Sequence, residues 1–266
     1  MTASSKPGTA LITGASTGIG AIYADRLAKR GYDLILVARN RDRLNAIAKR
    51  LTDETGRSVQ VVVADLGDLA GMRLVEDILT TDASITALVN NAGFGATAPL
   101  LGSDIDTMDA MVTLNVISLT RLTHAVAPGF VARGAGKIIN ISSIVAISPE
   151  TLNGVYGGSK AYVLAFTQSL DHELKDKGIQ VQAVLPGATR TEFWDVAGLP
   201  VENLPQDWVM SSEDMVDAAL AALDQGELVT IPALPNVADW NAYEQARQNL
   251  RPQLSNSKAA ARYNVA

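Results

Sequence analysis

Short apolar runs alternate along the chain with longer stretches in which apolar residues return every three or four positions. Seven of the runs predict strands, at Thr9–Thr13, Asp33–Ala38, Ser58–Ala64, Ile85–Asn90, Lys137–Ser142, Ile179–Leu185 and Leu228–Ile231. Several are near-continuous Val, Ile and Leu, as in parallel strands covered on both faces. The helical period falls over Ile19–Arg30, Arg41–Thr55, Leu69–Thr81, Asp104–Ala132, Val155–Lys177 and Ser212–Gln225. Ser103 stands where the fourth helix needs an N-cap, with Asp104 and Asp106 favourable in its first turn. This alternation predicts an α/β fold: a doubly wound parallel sheet of about seven strands with helices on both faces. Ligands of such sheets bind at the carboxyl ends of the strands. A single domain over residues 1–266 is expected, with an insertion at about 188–212 and a C-terminal extension at about 233–266.

The breaks in the pattern carry the candidate chemistry. Gly14-Ala15-Ser16-Thr17-Gly18-Ile19-Gly20 joins the first strand to the first helix. In Rossmann-type folds such a turn lets the backbone approach a pyrophosphate, which rests on the amides of the helix start. The spacing, Gly-x-x-x-Gly-x-Gly, differs from the commonest dinucleotide fingerprint, and a tight ligand-free turn is the alternative. Tyr156 and Lys160 are four residues apart, so they share one helix face. A tyrosine with a pKa of about 10 is a poor acid or base at neutral pH. A neighbouring ammonium favours the phenolate and moves the hydroxyl toward the range useful for proton transfer. Alone, such a pair reads as a solvated helix face. Asn90-Asn91-Ala92-Gly93 follows the fourth strand, Ser142-Ser143 the fifth, and Pro186-Gly187-Ala188-Thr189-Arg190-Thr191 the sixth. Asn115 interrupts the long apolar helix, where a polar residue needs a reason.

Composition narrows the classes. The 266 residues, 47% hydrophobic and 19% charged, suit a globular domain with a sizeable core. A net charge of −6 and a pI of about 5.0 argue against nucleic acid as a partner. With no cysteine, disulfides and thiolate metal sites are excluded, and His124 and His172 lack metal-ligand spacing. Met1 to Gly8 lacks the apolar core of a signal peptide, and no run reaches the roughly 18–20 apolar residues of a membrane span. A cytoplasmic location with no membrane partner is expected.

Thr13-Gly14-x-x-x-Gly18-Ile19-Gly20, Asn90-Asn91-Ala92-Gly93, Asn115, Ser143 and Tyr156-x-x-x-Lys160 stand in an order that resembles the short-chain dehydrogenase/reductase superfamily, in its shorter soluble branch. The resemblance runs from about Thr9 to about Pro232 and includes the interval between Ser143 and Tyr156. It implies a catalytic set of Asn115, Ser143, Tyr156 and Lys160. Tyr156 would exchange a proton with a substrate oxygen, and Ser143 would hold that oxygen. Lys160 would lower the tyrosine pKa and bind the nicotinamide ribose, and Asn115 would position a water linking Lys160 to solvent. The dinucleotide would lie along Gly14, Ser16, Thr17, Gly18, Ile19, Gly20, Asn40, Leu66, Asn91, Ala92 and Gly93. It would continue past Tyr156 and Lys160 to Pro186, Gly187, Thr189 and Thr191, with Asp65 at the adenine amine.

The second strand ends in Ala38-Arg39 where an acidic residue would bind the ribose 2′-hydroxyl of NAD. Arg39 can instead take a 2′-phosphate bidentately, so NADP(H) is the expected cofactor and NAD(H) the alternative. A solvated loop arginine is the other reading, and Thr17 replaces the basic residue that many NADP-dependent relatives carry in the glycine turn. Phe94, Ile144, Val145, Phe193 and Trp194 are the candidate substrate wall. The expected activity is hydride transfer to or from an apolar small ketone or secondary alcohol. The alternatives are an NAD-linked hydroxysteroid-type or 3-oxoacyl reductase and, in another class, a catalytically silent nucleotide-sensing or scaffold protein. Family members commonly pair through their two long helices, so a homodimer or homotetramer is expected.

Overall fold

The computed structural model describes residues 7–264, which form two compact units, 7–232 and 233–264. The first unit holds a seven-stranded sheet: β1 (Thr9–Thr13), β2 (Asp33–Ala38), β3 (Val59–Val63), β4 (Ile85–Asn90), β5 (Gly136–Ile141), β6 (Ile179–Val184) and β7 (Val229–Thr230). The strands run in the order β3-β2-β1-β4-β5-β6-β7, every neighbouring pair parallel. The winding direction reverses between β1 and β4, and that switch opens a crevice at their carboxyl ends.

Helices cover both faces: α1 (Gly18–Lys29), α2 (Arg41–Thr55), α3 (Leu69–Thr81), α4 (Ile105–Val112), α5 (Leu119–Arg133), α6 (Gly154–Leu174), α7 (Phe193–Ala197) and α8 (Ser212–Asp224). On one face Tyr23, Leu27, Leu44, Leu51, Met215 and Leu220 pack against the sheet, and on the other Val75, Leu79, Leu122, Phe130, Leu170 and Leu174. The cap of α4 is Asp104 rather than Ser103: its carboxylate accepts from the Thr107 amide at 2.8 Å. The Ser103 hydroxyl turns instead to the carbonyls of Ala98 and Pro99.

Helices α4 and α5 are one continuous rod, Ile105–Arg133, interrupted by a π-helical turn at Thr113–Ser118. Contrary to the expectation above, this rod has the length and apolarity of a membrane span, with a mean hydropathy of 1.2 over its most apolar window. Its apolarity has a core explanation, since Met108, Met111, Leu119, Leu122, Val126 and Phe130 are buried within the fold. In the second unit, α9 (Val237–Leu250) carries Trp240 and Tyr243 with their rings 5.3 Å apart.

Candidate active site

The glycine turn leaves β1 at Gly14, whose φ of +63° only glycine adopts freely, and a side chain on Gly20 would collide with the Gly14 carbonyl. Asn91 holds the turn from β4 by donating its amide hydrogens to the carbonyls of Thr13, at 2.9 Å, and Gly14, at 3.2 Å. The Thr13 hydroxyl accepts from the amides of Asn91 and Ala92, both at 3.0 Å. Thr17 sits at the N-cap of α1 in an extended conformation without capping it, and the first turn has no acidic residue. The first amides of α1 thus have no side-chain acceptor from their own cap, and the backbone is bare of side chains on the glycines. That cradle fits a pyrophosphate.

Beyond β2, Arg39 is 80% exposed and only loosely approached by Asp65, at 3.8 Å. Asp65 accepts from the Gly67 amide at 2.8 Å, while the cap of α3 is Asp68. Two residues expected at the cofactor have side chains engaged elsewhere. Asn40 caps α2 by accepting from the Arg43 amide, and Leu66 is buried in the core. At Leu66 only the backbone is left to meet a ligand, while Asn40 keeps its side-chain Nδ2 available to donate.

At the end of β5, Ser143, Tyr156 and Lys160 converge. Asn153 caps α6, accepting from the amides of Val155 and Tyr156 and donating to the Ala98 carbonyl and to Ser103. This cap positions the first turn of α6, which carries Tyr156. Burial pushes the Tyr156 hydroxyl up to about 12, against the opposing pull of its hydrogen bond with Ser143. Lys160 is buried too, and burial brings its ammonium down to about 8. Its Nζ donates to the Ile141 carbonyl at 2.9 Å and lies 5.7 Å from the centre of the Tyr156 ring. The expected lowering of the tyrosine is therefore reversed, because burial of its hydroxyl outweighs the hydrogen bond with Ser143.

Asn115 lies within the π turn, buried, and its amide is fully engaged. Oδ1 accepts from the Phe94 amide at 3.1 Å, while Nδ2 donates to the Phe94 carbonyl at 2.9 Å and to Ser159 at 3.2 Å. Ser159 in turn donates to the Tyr156 carbonyl at 2.8 Å. Asn115 thus ties the β4–α4 loop to α6, and π turns of this kind cluster at functional sites. A methyl on Gly93 would stand 2.8 Å from Asn115 Oδ1 and 3.6 Å from Lys160 Nζ, so the loop passes this close to both side chains only because residue 93 has none.

The expected substrate residues divide. Val145, Phe94 and Phe193 pack around Tyr156, and Ile144 lies over Gly187. Trp194 instead turns inward, buried, its indole N–H donating to the Thr189 carbonyl at 2.9 Å, so it anchors the loop rather than lining a cavity. Thr189 pairs with Met210, the Pro186 carbonyl accepts from the Ile144 amide, and a methyl on Gly18 would lie 3.0 Å from Thr191 Cγ2. The loop after β6 is therefore folded down onto the phosphate cradle. Arg43 on α2 and Glu192 ahead of α7 form an ion pair at 2.7 Å. The Arg190 guanidinium is taken by Gln206. His124 and His172 are exposed. Thr13 stood in the glycine-turn motif without a role of its own, whereas Gly95, Asn153 and Ser159 were not singled out from the sequence. Of these three, only Asn153 had a local signal, an Asn directly ahead of a helical run.

The chain belongs to the short-chain dehydrogenase family, whose model, described as "short chain dehydrogenase", matches residues 8–198. Among solved structures it is similar to a short-chain dehydrogenase from Sphingobium yanoikuyae in complex with NADPH, 49% identical over 95% of this chain and 98% of that one, with a TM-score of 0.93. It is also similar to a bulky-bulky ketone specific alcohol dehydrogenase from Comamonas testosteroni, 44% identical over 96% of this chain and 98% of that one, with a TM-score of 0.89. The very-long-chain 3-oxoacyl-CoA reductase of Anas platyrhynchos is 37% identical over 69% of this chain and 60% of its own length. The chain therefore spans about 60% of the length of the first curated relatives it matches.

Proposed function

We propose that the protein is an NADP(H)-dependent oxidoreductase that interconverts an apolar ketone and its secondary alcohol. The observation that carries this reading is the convergence of Tyr156, Ser143 and Lys160 at the end of β5, beside a glycine cradle built for a pyrophosphate. When bound, the nicotinamide supplies or accepts the hydride. Hydride arriving at a carbonyl carbon leaves negative charge on oxygen, which needs a proton and a second donor at one point. The Tyr156 hydroxyl gives the proton, and the Ser143 hydroxyl holds the same oxygen. Lys160, charged below pH of about 8, stabilises the phenolate left on Tyr156. Asn115 keeps the loop and helix in register through its bonds to Phe94 and Ser159. Arg39 takes the 2′-phosphate, which its exposure permits.

The substrate class rests on the apolar residues about Tyr156 and on the ketone-reducing relative. Reduction of 3-oxoacyl thioesters is the second reading, favoured by the 37% identity to the 3-oxoacyl-CoA reductase. We place the protein in the cytoplasm as a homodimer or homotetramer paired through Ile105–Arg133 and α6, where Ile117, Val131 and Tyr162 are exposed. The test is NADPH oxidation across a panel of dialkyl, aryl-alkyl and diaryl ketones and 3-oxoacyl-CoA esters. Turnover of ketones is expected. Turnover of the thioesters alone would move the assignment to the second reading, and none at all would favour a silent binding protein.

A further inference from the structure

The β4–α4 loop meets the loop after β6 at two points. A methyl on Gly95 would come 2.5 Å from Cζ and 2.9 Å from Cε2 of Phe193, and 3.1 Å from Cδ2 of Tyr156. The Phe193 ring therefore lies in a recess that exists because residue 95 has no side chain. Its centre is 5.6 Å from that of the Tyr156 ring, with the planes tilted by 43°. Two residues further on, Thr97 donates to the Ala197 carbonyl from its amide, at 3.1 Å, and from its hydroxyl, at 2.8 Å. Phe193 opens α7 and Ala197 closes it, so both ends of this short helix rest on the same loop.

A helix of five residues has little stability of its own, since nucleation costs more than so few hydrogen bonds return. Its other ties are the Arg43–Glu192 ion pair, half exposed, the Trp194 bond to Thr189, and the bond of the Phe193 amide to the Thr191 hydroxyl at 3.3 Å, which leaves the Phe193 ring itself unbonded. Val196 on its outer side is 68% exposed. The inner side of the segment is buried at Trp194 and Ala197, whereas Phe193 is only partly buried, so the ring can yield while Trp194 stays anchored.

We propose that Phe193 is a gate seated in the Gly95 recess, and that this pair sets how bulky the groups flanking a substrate carbonyl can be. The proposal rests on the reading of Tyr156 as the group that meets the carbonyl. A carbonyl brought to the Tyr156 hydroxyl places one flanking group against the ring face that Phe193 covers. A small group fits beside the seated ring, whereas a large one must displace it. Steric discrimination of one methylene or more is worth about 10- to 200-fold in kcat/KM, so the pair can dominate selectivity.

The test is a double-mutant cycle of Gly95→Ala and Phe193→Ala, read with NADPH on butanone, acetophenone and benzophenone. Phe193→Ala should raise the benzophenone-to-butanone ratio of kcat/KM about tenfold or more. Gly95→Ala should unseat the ring and change that ratio by a similar factor in the parent, yet by less than about twofold once Phe193 is alanine. Equal effects of Gly95→Ala in both backgrounds would overturn the proposal, because the methyl would then be acting on something other than Phe193. A NADPH Kd close to that of the parent shows that each variant is folded. A second arm does not depend on turnover. With Trp208 and Trp240 replaced by phenylalanine, Trp194, edge-on to Phe193 at 5.4 Å, reports the gate by fluorescence. Gly95→Ala should shift its emission, and an unchanged spectrum would overturn the gate. If no ketone turns over while the emission shifts, it is the assignment of Tyr156 that fails and the contact that stands.

Discussion

Lys160 donates its Nζ hydrogen to the Ile141 carbonyl at 2.9 Å, a buried ammonium held against the last residue of β5. Burial without a carboxylate partner accounts for its ammonium coming down from 10.5 to about 8. The unfolded chain therefore holds this proton between about pH 8 and 10.5 while the folded one has lost it. Stability contributed by this group rises with pH across that window. Tyr156 acts in the opposite sense from pH 10 upward, because its hydroxyl keeps its proton to about 12 in the fold and stability falls as it is lost. Urea denaturation of the parent and of Lys160→Met at pH 7.5, 9 and 10.5 is the check. The parent should gain stability relative to the variant as pH rises, and parallel curves would remove the buried charge from the account.

Arg39 offers the cleanest test of cofactor choice, since the 2′-phosphate is the single difference between the two nucleotides. Arg39→Leu should lose a charge-assisted contact and weaken NADPH by roughly ten- to a hundredfold, with little change for NADH. Ala38→Asp should act more severely, its carboxylate repelling the phosphate and accepting from the NADH ribose. The double variant should reverse the preference. Equal losses for both nucleotides, measured by fluorescence titration, would make Arg39 a structural residue.

Much of this frame was legible in the chain because parallel strands announce themselves as unbroken apolar runs. Every predicted strand matches an observed one to within a residue at each end, with β3, β6 and β7 shortened and β5 displaced by one residue. Helix ends were less certain, because caps are chosen in three dimensions: Asp104 outcompetes Ser103, whose hydroxyl is drawn to Ala98 by the fold of the loop. The π turn at Asn115 was invisible, since the partners of Asn115 within it, Phe94 and Ser159, are distant in sequence. Motif spacing brought the residues of the candidate site together, but it gave no sign of the Gly95 recess or the Arg43–Glu192 pair. Both depend on how the loop after β6 folds back. The direction of the Tyr156 shift was missed for a related reason: spacing shows a charge nearby but not the desolvation around it.

Asn115→Leu keeps the bulk of the side chain but strands the partly buried backbone groups of Phe94 and the buried Ser159 hydroxyl that it serves. Leaving a buried donor or acceptor without a partner costs about 1–3 kcal/mol, so a lower melting temperature is expected together with slower turnover. A variant that melts with the parent and turns over normally would show that the π turn is held by other contacts.

The proton-donor role of Tyr156 is the centre of the account, and Tyr156→Phe addresses it directly. Phenylalanine keeps the ring against Phe193 and removes only the hydroxyl bonded to Ser143. On whichever ketone the parent reduces fastest, kcat should fall by about 10² to 10⁴, while the Kd for NADPH stays within about twofold. A variant that binds NADPH and reduces that ketone at close to the parental rate would contradict the mechanism.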